Sequence, residues 1–146
     1  MKREKFTGVN SIKFNRQFDG EFTGWFKTND KFYERLWGKA VRTLYVTMRD
    51  TYMDCPDRER AQWWGDMVNE NGEAFYALSP SAATITKKGI LELINWQRED
   101  GTIYSPIPEG NWNKELPGQM LASIGYYGFW NYYLNTGDKE TLAQDK

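Results

Sequence analysis

The sequence predicts a mainly α-helical chain led by a short β segment, and three features predict it. Apolar residues recur at helical spacing through most of the chain, alternate only near its start, and are separated by proline and glycine between the periodic runs. Residues 1–27 carry the alternation. Ile12, Phe14 and Phe22, broken by Gly20 and Gly24, read as strands and turns. A lone strand pair is marginal in water, so this stretch is expected to join a sheet or to cover a helical body.

From Asn29 the period changes. Tyr33, Trp37, Ala40, Leu44 and Met48 fall on one stripe, with Lys31, Glu34, Arg35, Lys39 and Arg42 opposite, and Thr28 or Asn29 is the expected N-cap. Pro56 pushes Cys55 out of the α region, so residues 51–58 form a loop. A second helix is expected from near Arg60 through Val68, weakening at Gly72. A third covers residues 79–97, with Ile85, Gly89, Leu93 and Trp96 on one stripe. The stretch 98–116 reads as a long loop, of the kind that is functional in compact domains. In it Glu109 and Glu115 are read as rim residues, and Trp112 either walls an outer sugar site or anchors the loop. Pro117 suits the first position of a fourth helix whose stripe is Met120, Ile124, Tyr127, Trp130 and Leu134. Gly137 then turns the chain, and a capping signal opens a fifth helix. The sequence reaches Lys146 before that helix is built, so the chain is expected to be a piece of a longer protein.

Composition narrows the chemistry. The 146 residues suffice for a hydrophobic core, and 19 Lys+Arg against 20 Asp+Glu leave no basic footprint for nucleic acid. No stretch approaches the roughly 18 apolar residues of a membrane span. Histidine is absent, which removes Ser-His-Asp and Cys-His nucleophiles and most zinc sites. Cys55 is the only cysteine and has no base beside it, so it reads as a small filler and gives no reading of compartment. No metal or cofactor is expected. Seven tryptophans exceed what core filling needs, because each buried indole N–H must find a partner, and aromatic-lined sugar clefts are the usual alternative.

The densest stretch is "DCPDRERAQWWGD", Asp54 to Asp66. Carboxylates accept hydrogen bonds from vicinal hydroxyls, arginine donates a planar fork, and tryptophan offers a flat face to a sugar ring. A carboxyl kept protonated can also give its proton to a leaving oxygen. The residues alone leave a second reading open, in which "DRER" is a charged helix start favoured by the helix dipole and the tryptophans are core.

The same stretch resembles the signature of the bacterial α-L-rhamnosidases of glycoside hydrolase family 78, which reads D-C-P-x-R-E-R-x-G-W-x-G-D in many members. The segments on either side, residues 21–60 and 98–138, are similar to the family in the expected order. The resemblance implies that residues 1–27 end a β-domain or linker. Residues 28–146 would be the N-terminal part of an (α/α)6 barrel of six-hairpin type, completed by the remainder of a parent catalytic domain. It implies inverting hydrolysis of a terminal α-L-rhamnose from a glycoside or oligosaccharide. Glu59 matches the general acid; Asp54, Arg58 and Asp66 match residues that hold the rhamnose hydroxyls; Trp63 matches the aromatic wall. The general base would lie outside these residues, so the chain alone is expected to be inactive. Gln62 stands where many members have glycine and Trp64 where a smaller residue is common, departures that bear on subsite width and sugar preference. Another six-hairpin glycosidase with a different sugar, or a non-catalytic carbohydrate-binding module, are the alternatives.

The acid role carries an electrostatic requirement. Arg58 and Arg60 beside Glu59 would lower its pKa, whereas Asp54, Asp57, Asp66 and burial against Trp63 would raise it. Both arginines are therefore expected to point away or to pair with the aspartates. A guanidinium in contact with Glu59 would argue against the assignment.

Overall fold

The computed structural model describes residues 21–107, 114–115 and 123–144. The expected strands before Glu21, the start of a helix at Pro117, Met120, Glu109 and Trp112 lie outside the described residues. The described chain is mainly helical. Helix α1 spans Lys31–Thr47, α2 Trp64–Ala77 and α3 Ala83–Asn95, the last entered through a 3-10 turn at Pro80–Ala82. Two-residue strands β1 (Tyr104–Ser105) and β2 (Lys114–Glu115) pair antiparallel. A π-helical segment, Ile124–Trp130, runs into α4 (Asn131–Thr136), and a short α5 (Lys139–Leu142) follows.

The N-cap of α1 is Asp30, whose carboxylate accepts from the Phe32 N–H at 2.8 Å, one residue beyond the expected Asn29. Of the anticipated α1 stripe, Leu44 and Met48 are buried and Trp37 packs against the core, while Tyr33 and Ala40 are exposed. The helix is thus anchored by its C-terminal half. Helix α2 does not stall at Gly72. It continues to Ala77, because Asn71, Ala74 and Ala77 bury on one face and their packing outweighs the helix cost of one glycine, roughly 1 kcal/mol. On α3, Gly89 and Leu93 are buried as expected, whereas Trp96 is 38% exposed.

The fourth helical stripe is the clearest correction to the expected periodicity. Ile124 is buried as expected, but Tyr127, Trp130 and Leu134 are exposed, and Gly128, Phe129 and Tyr132 face inward in their place. A π-helix closes its hydrogen bonds one residue further along than an α-helix, so a stripe drawn at α spacing rotates off the core. The fifth helix opens as anticipated. Gly137 takes φ 70°, and Asp138 caps α5 by accepting from the Thr141 N–H at 3.0 Å. The Asp138 carboxylate also takes Lys87 of α3 at 2.8 Å and the Tyr132 hydroxyl at 2.9 Å, tying three elements together. Lys87 holds the Asp138 carboxyl well below its usual range, helped by the Thr141 bonds.

The core is one cluster. Trp64, Met67 and Val68 of α2 meet Leu44 and Met48 from α1, Ile90 and Leu93 from α3, and Phe129 and Tyr132 behind. Within it runs a polar chain. Thr86 gives its hydroxyl proton to Asn71 Oδ1 at 3.0 Å, so the Tyr52 hydroxyl, 3.0 Å from Thr86, is the donor of that pair. Asn71 Nδ2 in turn donates to the Tyr127 carbonyl at 3.3 Å. Buried hydroxyls and amides satisfied in this way specify one packing of the helices.

The described part of the leading segment, residues 21–30, is extended and lies along the end of α2. The Gly24 N–H donates to the Ala77 carbonyl at 3.0 Å, the Ser79 N–H donates to the Glu21 carbonyl at 2.8 Å, and Phe22 bridges to Leu78. A Cβ on Gly24 would stand 1.8 Å from the Tyr76 carbonyl oxygen, so backbone would have to move. Gly24→Ala is expected to cost about 1–3 kcal/mol of unfolding free energy as an overpacked contact. Gly38→Ala, where a Cβ meets nothing within 4 Å on the exposed face of α1, is expected to stabilise by about 0.4–1 kcal/mol. Urea unfolding of the two variants checks the opposite signs.

Candidate active site

Between α1 and α2 the chain closes a loop that carries the charged residues of the 54–66 stretch. The Asp54 N–H donates to the Ala61 carbonyl at 3.1 Å, and Asp54 Oδ1 accepts from the Ala61 N–H at 3.0 Å. These two bonds pinch the ends of the loop together. Arg60 makes the return with a left-handed backbone at φ 53°, and its Nε donates to the Pro56 carbonyl at 2.9 Å. The expected helix start near Arg60 is therefore corrected. A left-handed residue cannot sit in a right-handed first turn, and α2 begins four residues later at Trp64. Trp63, half-buried, is its N-cap, and its carbonyl accepts from the N–H groups of Asp66 and Met67 at 3.1 and 2.9 Å.

A second strip of chain holds the start of α2 in place. The Trp64 N–H donates to Ser105 Oγ at 3.2 Å, and the Ile107 N–H donates to the Gln62 carbonyl at 3.3 Å. Gln62 is itself 2% exposed. Its Nε2 donates to the Ile107 carbonyl at 3.1 Å and to Glu92 at 3.3 Å, and its Oε1 accepts from Thr51 at 2.7 Å. A Cβ on Gly89 would stand 2.7 Å from that Oε1, so the glycine in α3 makes the room the glutamine uses. Gln62 is thus a buried tie between the loop, α3 and residue 107.

Glu59 is drawn inward, its side chain 6% exposed, while the Arg58 side chain is 81% exposed. The two form an ion pair, the Cys55 thiol donates to Glu59 Oε2 at 3.3 Å, and Asp54 stands against the same carboxylate. Arg58 is the main cause holding Glu59 well below the ordinary carboxylate range, against the upward push of burial, with Cys55 and Asp54 adding to the lowering. The expectation that both arginines turn away from Glu59 is corrected for one of them. Arg60 is occupied by the Pro56 carbonyl, but Arg58 reaches the Glu59 carboxylate, and that contact counts against the acid assignment. Glu59 is therefore an acceptor in this arrangement, and a proton donor only once Arg58 has moved. Cys55 is more than a filler, since it orients the same carboxylate.

Asp66 lies in the first turn of α2, where the helix N-terminus favours a negative charge. Its carboxyl is nonetheless raised, by partial burial first and then by the charges of Asp54 and Glu59. The fold thus brings Asp54, Arg58 and Glu59 into contact, sets Asp66 within electrostatic reach of Asp54 and Glu59, and places Trp63 between loop and helix. Ligand atoms of Asp54, Cys55 and Glu59 lie within 4.8 Å of one another, close enough in principle to share a cation. The Arg58 guanidinium already supplies positive charge there.

One carboxyl of this neighbourhood was missed from the sequence. Glu70 sits one turn after Asp66 on α2, with Oε2 buried. The i, i+4 spacing of Asp66 and Glu70 is the signal that could have found it. A separate cleft, lined by Phe75, Leu78, Lys87, Tyr132 and Asp138, has its charged groups paired with each other. Among the described residues no helix is long and apolar enough to cross a membrane.

A family model described as the bacterial alpha-L-rhamnosidase 6 hairpin glycosidase domain matches residues 21–145. No curated protein and no solved structure matches the chain.

Proposed function

The chain belongs to the family of bacterial α-L-rhamnosidase six-hairpin glycosidase domains, and on that premise we propose that its 54–66 loop is half of a site that hydrolyses terminal α-L-rhamnosides with inversion. The observation that carries the reading is the gathering of Asp54, Arg58 and Glu59 at the mouth of α2, inside the stretch the family match covers. In this reading Asp54 and Asp66 accept hydrogen bonds from the sugar hydroxyls, Trp63 stacks on the ring, and Glu59 protonates the glycosidic oxygen as the bond to the anomeric carbon breaks. The general base, which draws a proton from the attacking water on the opposite face, is contributed by a carboxylate outside these residues, in the remainder of the parent domain.

The Arg58–Glu59 pair sets a condition. An ionised Glu59 cannot act as an acid, so the arriving sugar must take Arg58 for its own hydroxyls and bury Glu59 against the ring. The geometry supports such a release. The Arg58 side chain is 81% exposed, so its guanidinium can turn to a sugar hydroxyl without being left as a buried, unpaired cation. If the pair persists in the complex, the loop is a sugar-binding element without acid chemistry, and this is the observation that favours a second, non-catalytic reading.

Hydrolysis by a complete catalytic domain containing this segment separates the readings. An aryl α-L-rhamnoside is expected to be cleaved ahead of other aryl glycosides, with the β anomer of free rhamnose appearing first by proton NMR. Release of the α anomer first, preference for another sugar, or binding without release would each contradict the proposal.

A further inference from the structure

Behind the loop, Glu70 has surroundings unsuited to a charge. Its Oε2 is buried and meets no donor among the described residues. The Thr47 hydroxyl at the end of α1 lies beside the carboxyl. Thr47 has already given its one proton to the Leu44 carbonyl at 2.9 Å, so it faces Glu70 with lone pairs. Tyr52, close enough to feel the Glu70 charge, has likewise committed its proton to Thr86. The other charged groups acting on Glu70 are carboxylates: Asp54 on the loop, and Asp66 and Glu73 on its own helix. An ionised Glu70 would be a partly buried anion whose inner oxygen lies opposite lone pairs and like charges. A protonated one has a proton to offer Thr47.

We propose that Glu70 is a positioning residue for the sugar-binding carboxylates: a half-buried carboxyl that keeps its proton at neutral pH, ties α2 to the end of α1, and leaves Asp54 and Asp66 to carry the charge. Every like charge removed from this cluster lowers the cost of ionising the others. A neutral Glu70 therefore lets Asp66, whose carboxyl is already raised, remain an acceptor for hydroxyls. Burial is the main cause pushing Glu70 up, to about 8, and Asp66, Glu73 and Asp54 add to the rise; only a Thr47 hydroxyl turned from Leu44 to the carboxylate would pull it down.

The sign of the pH effect follows. A carboxyl whose value in the folded chain lies above its unfolded value stabilises the fold fully below the unfolded value of 4.5, and that contribution is lost as pH rises through about 8. With no histidine in the sequence, that window holds no imidazole to obscure the effect.

The inference rests on the reading of Asp54 and Asp66 as sugar acceptors, but its test needs no sugar, so a failure of rhamnoside turnover and a failure of this inference are distinguishable. The measurement is carboxyl carbon-13 NMR of the full chain and of Glu70→Gln. The glutamate resonance lost in the variant should titrate near pH 8 in the parent chain, and Asp66 should titrate at the same pH in both proteins. A Glu70 resonance in the ordinary carboxylate range, or a downward shift of Asp66 in Glu70→Gln, overturns the proposal. Should the variant not fold, the parent chain decides: its denaturant midpoint should fall between about pH 5 and about pH 8, and a flat profile overturns the proposal equally.

Discussion

Trp64→Ala is expected to lower the unfolding free energy by about 3–5 kcal/mol, the range for truncating a large aromatic in a packed core. Trp64 is fully buried at the start of α2 and stacks on Phe129 with ring centroids 6.4 Å apart. Its ring edge would lie 3.2 Å from a Cβ on Gly128, so the glycine is what lets the π-helical segment approach the indole. Removing the ring opens a void between α2 and the segment that supports it, and neither backbone can collapse far into the space. The backbone N–H of residue 64 still reaches Ser105 in the variant, so what the start of α2 loses is the ring that seats it against Phe129. Trp64→Phe should cost much less, about 1–2 kcal/mol. It keeps most of the stacking and removes an indole N–H that is buried without an acceptor among the described residues. Equilibrium denaturation of both variants tests the ordering, and equal losses would place the stability elsewhere than in the ring contact.

Much of this architecture was legible before the structure. The C-terminal part of the α1 stripe (Trp37, Leu44 and Met48), the Pro56 loop, Gly89 and Leu93 on α3, and the Gly137–Asp138 turn each followed from local chemistry: periodicity, a proline, a positive-φ glycine, a capping carboxylate. What was not legible depended on backbone geometry that no spacing encodes. The left-handed Arg60 delayed α2 to Trp64, and arginine carries no signature for that conformation as glycine would. The π-helical turn at Ile124–Trp130 rotated Tyr127 and Trp130 outward, because periodicity arguments assume a constant pitch. Gln62 looked like a departure at the sugar pocket, yet its side chain is a buried tie whose partners lie 11, 30 and 45 residues away. The site was legible in its membership and not in its pairing. Neighbours in sequence supplied both raising and lowering influences on Glu59, and only the fold decides that Arg58 makes the contact.

That contact makes Glu59 the residue on which the functional account stands. Glu59→Gln removes the transferable proton and the pairing with Arg58 while keeping shape and hydrogen-bonding capacity. In a complete catalytic domain it is expected to lower turnover of an alkyl α-L-rhamnoside by about 10²–10⁴-fold, the usual contribution of a general acid. An aryl rhamnoside whose leaving phenol is strongly acidic needs little protonation and should lose far less. Sugar affinity should hold, because Asp54, Asp66 and Trp63 remain in place. The difference between the two substrates is the signature of acid catalysis, and a disturbed fold would depress both alike. The most direct test is therefore the ratio of the Glu59→Gln loss on the alkyl substrate to its loss on the activated aryl one. A large ratio is the predicted result; undiminished turnover of both substrates, or an equal loss on both, would contradict the account.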